Sequence, residues 1–283
     1  MHDDEIDVDG DLVRRLLETQ FPQWAELGLV RVEPSGTDNA IYRLGDSMSV
    51  RLPRIHWAAE QPRFEQTWLP RLSPHLPLPV PAPLALGEPG EGYPHSWAIH
   101  SWLPGTAALG TSVHARELAA FVVALQHVDV GDAPEARRGR PLSTLNRTPE
   151  AIEDCRGIVD VEAALAVWEE ALAAPAWDRQ PVWIHGDLDR RNLLVDERDA
   201  LCGVLDFSCA GVGDPAHDVG AAWRVLASEE RAPFLEALDV DEATVARARG
   251  WIIEQAANAL RYSTMENNPT LVLEARRWLD EVL

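Results

Sequence analysis

No lysine occurs anywhere in the 283 residues; all 25 basic side chains are arginine. That absence removes chemistry that runs on a side-chain amine, Schiff-base formation included, and it removes the lysine of a Walker A phosphate loop. Cysteine is almost as scarce. Cys155, Cys202 and Cys209 are odd in number and lack metal-ligand spacing, which predicts reduced thiols. No apolar run approaches the roughly 20 residues of a membrane span, and the opening His2-Asp3-Asp4-Glu5 is acidic where a signal peptide is basic and then apolar. The expectation is a cytoplasmic protein with no membrane contact. Positive charge is also in deficit: the net charge of −21 argues against a nucleic-acid partner, whose phosphates it would repel, and is compatible with a cationic one. There is no internal repeat and no low-complexity linker, and nothing sets an oligomeric state.

What is present suits one large domain or two small lobes, with length enough for a proper core. Leu12, Val13, Leu16, Leu17 and Phe21 predict a short helix. Gly28–Val32 reads as a strand, 33–39 as a turn-rich loop whose only glycine is Gly36, Ala40–Leu44 as a second strand, Gly45-Asp46 as a hairpin turn and Met48–Leu52 as a third strand. Four prolines in Leu76–Pro83 predict an extended connector, and Trp97–His100 reads as a strand. The period then becomes helical: Leu118, Phe121, Val122 and Leu125 fall on one face. An irregular loop is expected over 131–148. Further apolar stripes run through Val161–Leu172, Val219–Leu226, Val245–Leu260 and Leu271–Leu283.

Between the second and third of these stripes lies His185-Gly186-Asp187-Leu188-Asp189-Arg190-Arg191-Asn192, flanked by the strand-like runs Val182–Ile184 and Leu193–Val195. A further run, Gly203–Leu205, ends in Asp206-Phe207-Ser208, and Gly213-Asp214-Pro215-Ala216-His217-Asp218 follows. An Asp, an Asn five residues on and an Asp at the end of the next strand are the parts of kinase-like phosphoryl transfer. One carboxylate orients a hydroxyl; an amide oxygen and a second carboxylate hold Mg2+ against phosphates. Metal readings of His185 with Asp187, or of His217 with Asp218, lack a third ligand at a persuasive spacing.

With His-Gly-Asp and Asp-Phe-Ser, the chain resembles the aminoglycoside phosphotransferase family rather than the protein kinases. The resemblance implies an α+β, protein-kinase-like two-lobed fold: an N-lobe over 1–101 that binds nucleotide, a hinge at 102–105, and a mostly helical C-lobe over 106–283 with the catalytic loop and acceptor-binding helices. It makes Asp187 the catalytic aspartate, Asn192 and Asp206 the Mg2+ ligands, and His185 and Asp218 supports of the catalytic loop. Arg51 takes the phosphate-holding position, with Arg54 as rival, and pairs with Glu65 of Glu65-x-x-x-Leu69-x-x-Leu72, with Glu60 as rival. Gly36 and Thr37 fall in the phosphate-covering loop, and the Ser101 carbonyl and Leu103 N–H are placed to bind the adenine. Arg190 and Arg191 are either phosphate neutralisers or solvated loop arginines.

The cofactors so implied are ATP or GTP and Mg2+, and the partner is a small-molecule acceptor, cationic if the acidic composition bears on it. Glu153, Asp154, Glu254 and Glu266 are acceptor candidates. Glu254 has Asn258 and Tyr262 at i+4 and i+8 on its helix; it is either an acceptor contact or a solvent-facing helix charge. The implied function is transfer of the nucleotide γ-phosphate to a hydroxyl of an aminoglycoside-type antibiotic, hence antibiotic resistance. Alternative acceptors are a macrolide or an endogenous amino alcohol or sugar. The reading from another class is a catalytically inactive kinase-fold binding module.

Overall fold

The computed structural model describes residues 5–33, 38–266 and 268–283; Gly36 and Thr37 lie outside them. The chain divides into two compact units, and both are discontinuous. The first comprises Met1–Pro74, Pro79–Pro104 and Gly203–Ser208; the second comprises His75–Leu78, Gly105–Cys202 and Cys209–Leu283. Among the described residues no helix is long and apolar enough to cross a membrane.

The first unit starts with α1 (Gly10–Gln20), whose N-terminus is capped by Asp9 accepting from the Leu12 N–H at 2.7 Å. Its buried face, Val13, Leu16 and Leu17, follows the helical period seen in the sequence. Strands β1 (Leu29–Arg31), β2 (Asn39–Leu44) and β3 (Met48–Pro53) are followed by helix α2 (Gln61–Leu72) and strands β4 (Pro83–Gly87) and β5 (Trp97–Ser101). The strands form one antiparallel sheet in the order β1-β2-β3-β5-β4. The apolar face packs Leu16, Leu17, Tyr42, Leu44, Val50 and Trp97 into the core. Strand β4 is not foreseen in the sequence, because Pro83 argues against a ladder position. It lies at the sheet edge, where a missing N–H is tolerated, and the register shifts between Pro83 and Ala85.

The second unit contains β6 (Thr106–Ala107), α3 (Ala115–Gln126), α4 (Thr148–Glu153), α5 (Val161–Ala173), β7 (Val182–Ile184), β8 (Leu193–Val195), β9 (Leu201–Val204) and β10 (Gly211–Gly213), with the chain crossing into the first unit within β9. Helices α6 (Ala216–Val219), α7 (Ala221–Arg224), α8 (Ser228–Ala237), α9 (Glu242–Tyr262) and α10 (Pro269–Val282) complete it. Two small sheets, β10-β7 and β6-β8-β9, carry the His185–Asn192 segment. Around them α9 packs on α4, α5, α6 and α10. The single helix expected over Val219–Leu226 is two short ones, α6 and α7, broken at Gly220, where glycine costs a helix most. Helix α8 has almost no apolar stripe to reveal it; Phe234 is its one buried residue.

Residues 131–148 are more ordered than their composition suggests. Val212 donates to the Pro134 carbonyl, Ala136 to the Val212 carbonyl and Asp214 to the Gly139 carbonyl, each at 2.9 Å. This stitches 134–139 along β10, which itself pairs with the strand leading into His185.

Candidate active site

In the first unit, β3 and α2 bring Arg51 and Glu65 together. Arg51 Nη1 lies 3.1 Å from Glu65 Oε1, and both side chains are nearly buried. Arg51 Nη2 reaches Asp206 Oδ2 at 3.5 Å, so one guanidinium spans the helix glutamate and the Asp-Phe-Ser carboxylate. The rivals lie elsewhere. Arg54 is paired with Glu5 at 2.9 Å, and Glu60 is an exposed residue just ahead of α2. Burial pushes Glu65 up to about 7 against the pull of Arg51, and the Asp206 charge adds to the rise. His100, also buried beside this group, is lowered to about 3 by burial and by Arg51 and is therefore neutral.

Asp206, two residues past β9, has φ +60°, a left-handed conformation that aspartate tolerates better than most residues. Its Oδ1 accepts from the Ser208 N–H at 3.2 Å, a local turn that holds the strained residue in place. Ser101 is fixed at the end of β5: its N–H donates to the Ala82 carbonyl, and its hydroxyl accepts from the Ala82 N–H, both at 2.8 Å. Leu103 is half-buried, and among the described residues its N–H makes no hydrogen bond.

In the second unit, the His185–Asn192 segment follows β7 through a turn built on Gly186, whose φ is +75°. A Cβ at this position would run into the Cys209 carbonyl; glycine is required there, which accounts for His-Gly-Asp. Asp218 accepts from the backbone N–H groups of His185 at 2.6 Å and Gly186 at 2.9 Å, and His185 Nδ1 accepts from the Asp187 N–H at 3.2 Å. His185 and Asp218 thus position the loop. His217, buried on α6, contacts Gln255 Nε2 through its own Nε2.

Asp187 is bracketed by two guanidiniums that sequence reasoning missed. Arg138 binds its Oδ1 and also donates to the Gly186 carbonyl at 3.2 Å. Arg224 Nη2 donates to the same Oδ1 at 3.1 Å. Burial alone would raise the Asp187 pKa; the two arginines overcome it and hold the carboxyl well below the usual range. Asp187 Oδ2 accepts from Asn192 Nδ2 at 3.2 Å, and the same nitrogen donates to the Asp187 carbonyl at 3.0 Å. Arg224 could have been suspected as a buried cation on the Asp218 stripe, whereas Arg138 lies in the loop read as irregular. Arg190 and Arg191 are committed within this unit, Arg190 Nε to the Val225 carbonyl at 2.8 Å and Arg191 Nε to Asp189 at 2.7 Å.

The donor chemistry suits Mg2+. With the Asn192 nitrogen turned to Asp187, the amide oxygen is the end left for a cation. Among the described residues no three His, Cys, Asp or Glu side chains cluster as a metal site. A cation that completes its shell with phosphate and water does not need such a cluster.

The second unit also contains a cavity of about 200 Å³, lined among others by Glu254, Asn258 and Tyr262 of α9. Asn258 Nδ2 donates to Glu254 Oε1 at 2.9 Å. Glu153 and Asp154 do not line this cavity. Glu153 is bound by Arg156 at 2.7 Å and Asp154 by Arg261 at 3.0 Å, so ion pairs at the end of α4 hold them aside. Glu266 is exposed in the turn after α9.

An antiparallel sheet with its Arg51–Glu65 pair, and a helical unit with its His-Gly-Asp loop, define a kinase-like enzyme that acts on hydroxyl groups. The sequence model of the phosphotransferase enzyme family matches residues 30–251, and the chain belongs to that family. Among solved structures, the GDP and kanamycin complex of APH(2'')-IIIa is 18% identical, with a TM-score of 0.75, over 95% of this chain and 97% of that one. Macrolide 2'-phosphotransferase MphH from Brachybacterium faecium is 20% identical, with a TM-score of 0.64, over 95% and 97%. The uncharacterized protein YcbJ of Bacillus subtilis (strain 168) is 29% identical over 102 residues, 35% of this chain and 33% of its own length. The match thus spans about a third of that relative.

Proposed function

We propose that this enzyme transfers the γ-phosphate of ATP or GTP, with Mg2+, to a hydroxyl of a small molecule. The observation that carries the proposal is the setting of Asp187. Its Oδ1 is saturated by Arg138 and Arg224, leaving Oδ2, held by Asn192, to accept a hydrogen bond from an acceptor hydroxyl. A carboxylate with so depressed a pKa is a poor base for an alcohol. Its work is therefore to orient the hydroxyl, and the proton leaves late, as a loose phosphoryl-transfer transition state permits.

Arg51, steadied by Glu65, is the candidate for the nucleotide phosphates, with the Leu103 N–H and Ser101 carbonyl for the base. Asn192 and Asp206 would hold Mg2+, which neutralises phosphate charge when bound. Turnover of a nucleoside triphosphate in this way points to a cytoplasmic enzyme.

Aminoglycosides and macrolides, the acceptor classes named on the structural neighbours, are the first compounds to test, with amino alcohols and sugars beside them. Mg2+-dependent ADP or GDP release across that panel, with Asp187→Asn as control, tests the proposal. Acceptor-dependent release lost about 10²–10⁴-fold in the variant, with nucleotide still bound, is expected. Unchanged release in Asp187→Asn would remove this residue from the chemistry. Nucleotide binding with no turnover on any acceptor would favour an inactive binding module.

A further inference from the structure

The cavity in the second unit has a charge balance opposite to that of the chain. Over the whole sequence acidic residues outnumber basic ones, 46 to 25. The cavity is lined by Arg140, Arg147 and Arg261 against one carboxylate, Glu254. That carboxylate is poorly placed to receive a cation. It accepts from Asn258 at 2.9 Å, burial raises its pKa, and the Arg138 and Arg140 charges already act on it.

The three arginines differ in what they have to spare. Arg261 is committed to Glu150 at 2.6 Å and Asp154 at 3.0 Å. Arg147 is 3.9 Å from Glu150 and largely exposed. Arg140 makes no hydrogen bond or ion pair among the described residues; its electrostatic partner is Glu254. Arg138, bound to Asp187, also acts on Glu254.

Two effects oppose each other. The net charge of −21 draws cations from a distance, but screening at physiological salt confines such attraction to about 8 Å. Guanidiniums on the cavity wall act at contact, where screening is weakest, and they decide what is held. Size points the same way: about 200 Å³ lies below the roughly 300–1,000 Å³ of pockets for drug-sized ligands.

We propose that this cavity binds an oxyanion, a carboxylate or phosphate ester, through Arg140 with Arg147 beside it, so that the acceptor is a small hydroxylated anion and not a polycation. Calling the ligand an acceptor rests on the phosphotransferase reading; the anion site itself does not.

The test is calorimetric titration of the full chain with glucose 6-phosphate, glycerate, glucose and kanamycin, in the wild type, Arg140→Ala and Arg140→Glu. At least one of the two anions is expected to bind at millimolar concentration or below, about tenfold more weakly in Arg140→Ala and more weakly still in Arg140→Glu. The unfolding midpoint should not change, because the Arg140 side chain is exposed. Preference between glucose 6-phosphate and glycerate tells phosphate ester from carboxylate. Binding of neither anion, or anion binding indifferent to both substitutions, overturns the proposal. Because no turnover is needed, the two readings fail separately. Anion binding through Arg140 without phosphate transfer to any compound sinks the phosphotransferase reading alone, whereas Mg2+-dependent phosphorylation of kanamycin unaffected by Arg140→Glu overturns the anionic acceptor and leaves the phosphotransferase reading intact.

Discussion

Asn192 reaches back five residues to donate its side-chain amide to the carbonyl of Asp187 at 3.0 Å and to its carboxylate at 3.2 Å. The contact fixes which end of the amide is left over and locks the one oxygen of Asp187 that the arginines do not occupy. Asn192→Ala should lower kcat on the order of 10²-fold, as loss of a positioned donor does elsewhere. Asn192→Asp keeps an oxygen for the cation but sets a second carboxylate against Asp187, which raises the pKa of the pair. Its kcat–pH profile should shift to higher pH, and a profile unchanged from wild type would refute this account of the contact.

On the proposed reading, Glu65 should set the pH dependence of nucleotide use. With its pKa raised to about 7 by burial, the charged pair with Arg51 is complete only above that value. At pH 6 about one-tenth of Glu65 is ionised, so the nucleotide KM should rise about tenfold between pH 8 and pH 6. Stability has the opposite sign. A carboxyl whose folded pKa exceeds the ordinary 4.5 contributes fully below that ordinary value, and the contribution is lost as pH rises through about 7. The unfolding midpoint and the nucleotide KM, measured over the same pH range, should both fall as pH rises in the wild type, so that stability and nucleotide affinity oppose each other, and both should flatten in Glu65→Gln.

Gly186→Ala should destabilise the chain by at least about 1–2 kcal/mol, the cost of a left-handed residue with a Cβ. The clash with the Cys209 carbonyl adds to it. Chemical denaturation measures the loss. Activity should fall further than stability does, because the displaced turn carries Asp187.

Asp214 and Arg247 form a buried two-point pair, Nε to Oδ2 at 2.7 Å and Nη2 to Oδ1 at 3.2 Å. Asp214→Ala leaves the guanidinium buried without its charge partner and should cost about 3–5 kcal/mol. Asp214→Asn, which keeps an acceptor, should cost clearly less. Equal losses in the two variants would show that the pair's charge does not matter.

Four of the five strands of the first unit's sheet were legible because short apolar runs are bounded by turn residues such as Gly45-Asp46; β4, opening on Pro83, was not. The contact of Asn192 with Asp187 was legible because five residues of one loop separate them. Arg51 with Glu65 could be named but not chosen over Arg54 and Glu60, since only the sheet register and the turn of α2 decide which side chains meet. Arg138 could not be found at all. Its place depends on backbone bonds between 134–139 and β10, which join segments far apart in sequence and leave no trace in residue type. Glu153 and Asp154 drew attention as carboxylates, but the arginines that bind them, Arg156 and Arg261, settle where they point. The cavity's arginines went unremarked because a global surplus of acid says nothing about one local wall.

Gly203–Ser208 belongs to the first unit although about a hundred residues of the second precede it, and the Val204 N–H is bonded to the Pro79 carbonyl at 3.0 Å. The first unit is therefore not a detachable cassette. A fragment ending at Pro104 would carry Arg51 and Glu65 but no Asp206, and no single cut yields either unit whole. Exchange of parts between relatives by recombination must carry two breakpoints around this six-residue segment or lose the carboxylate that Arg51 reaches.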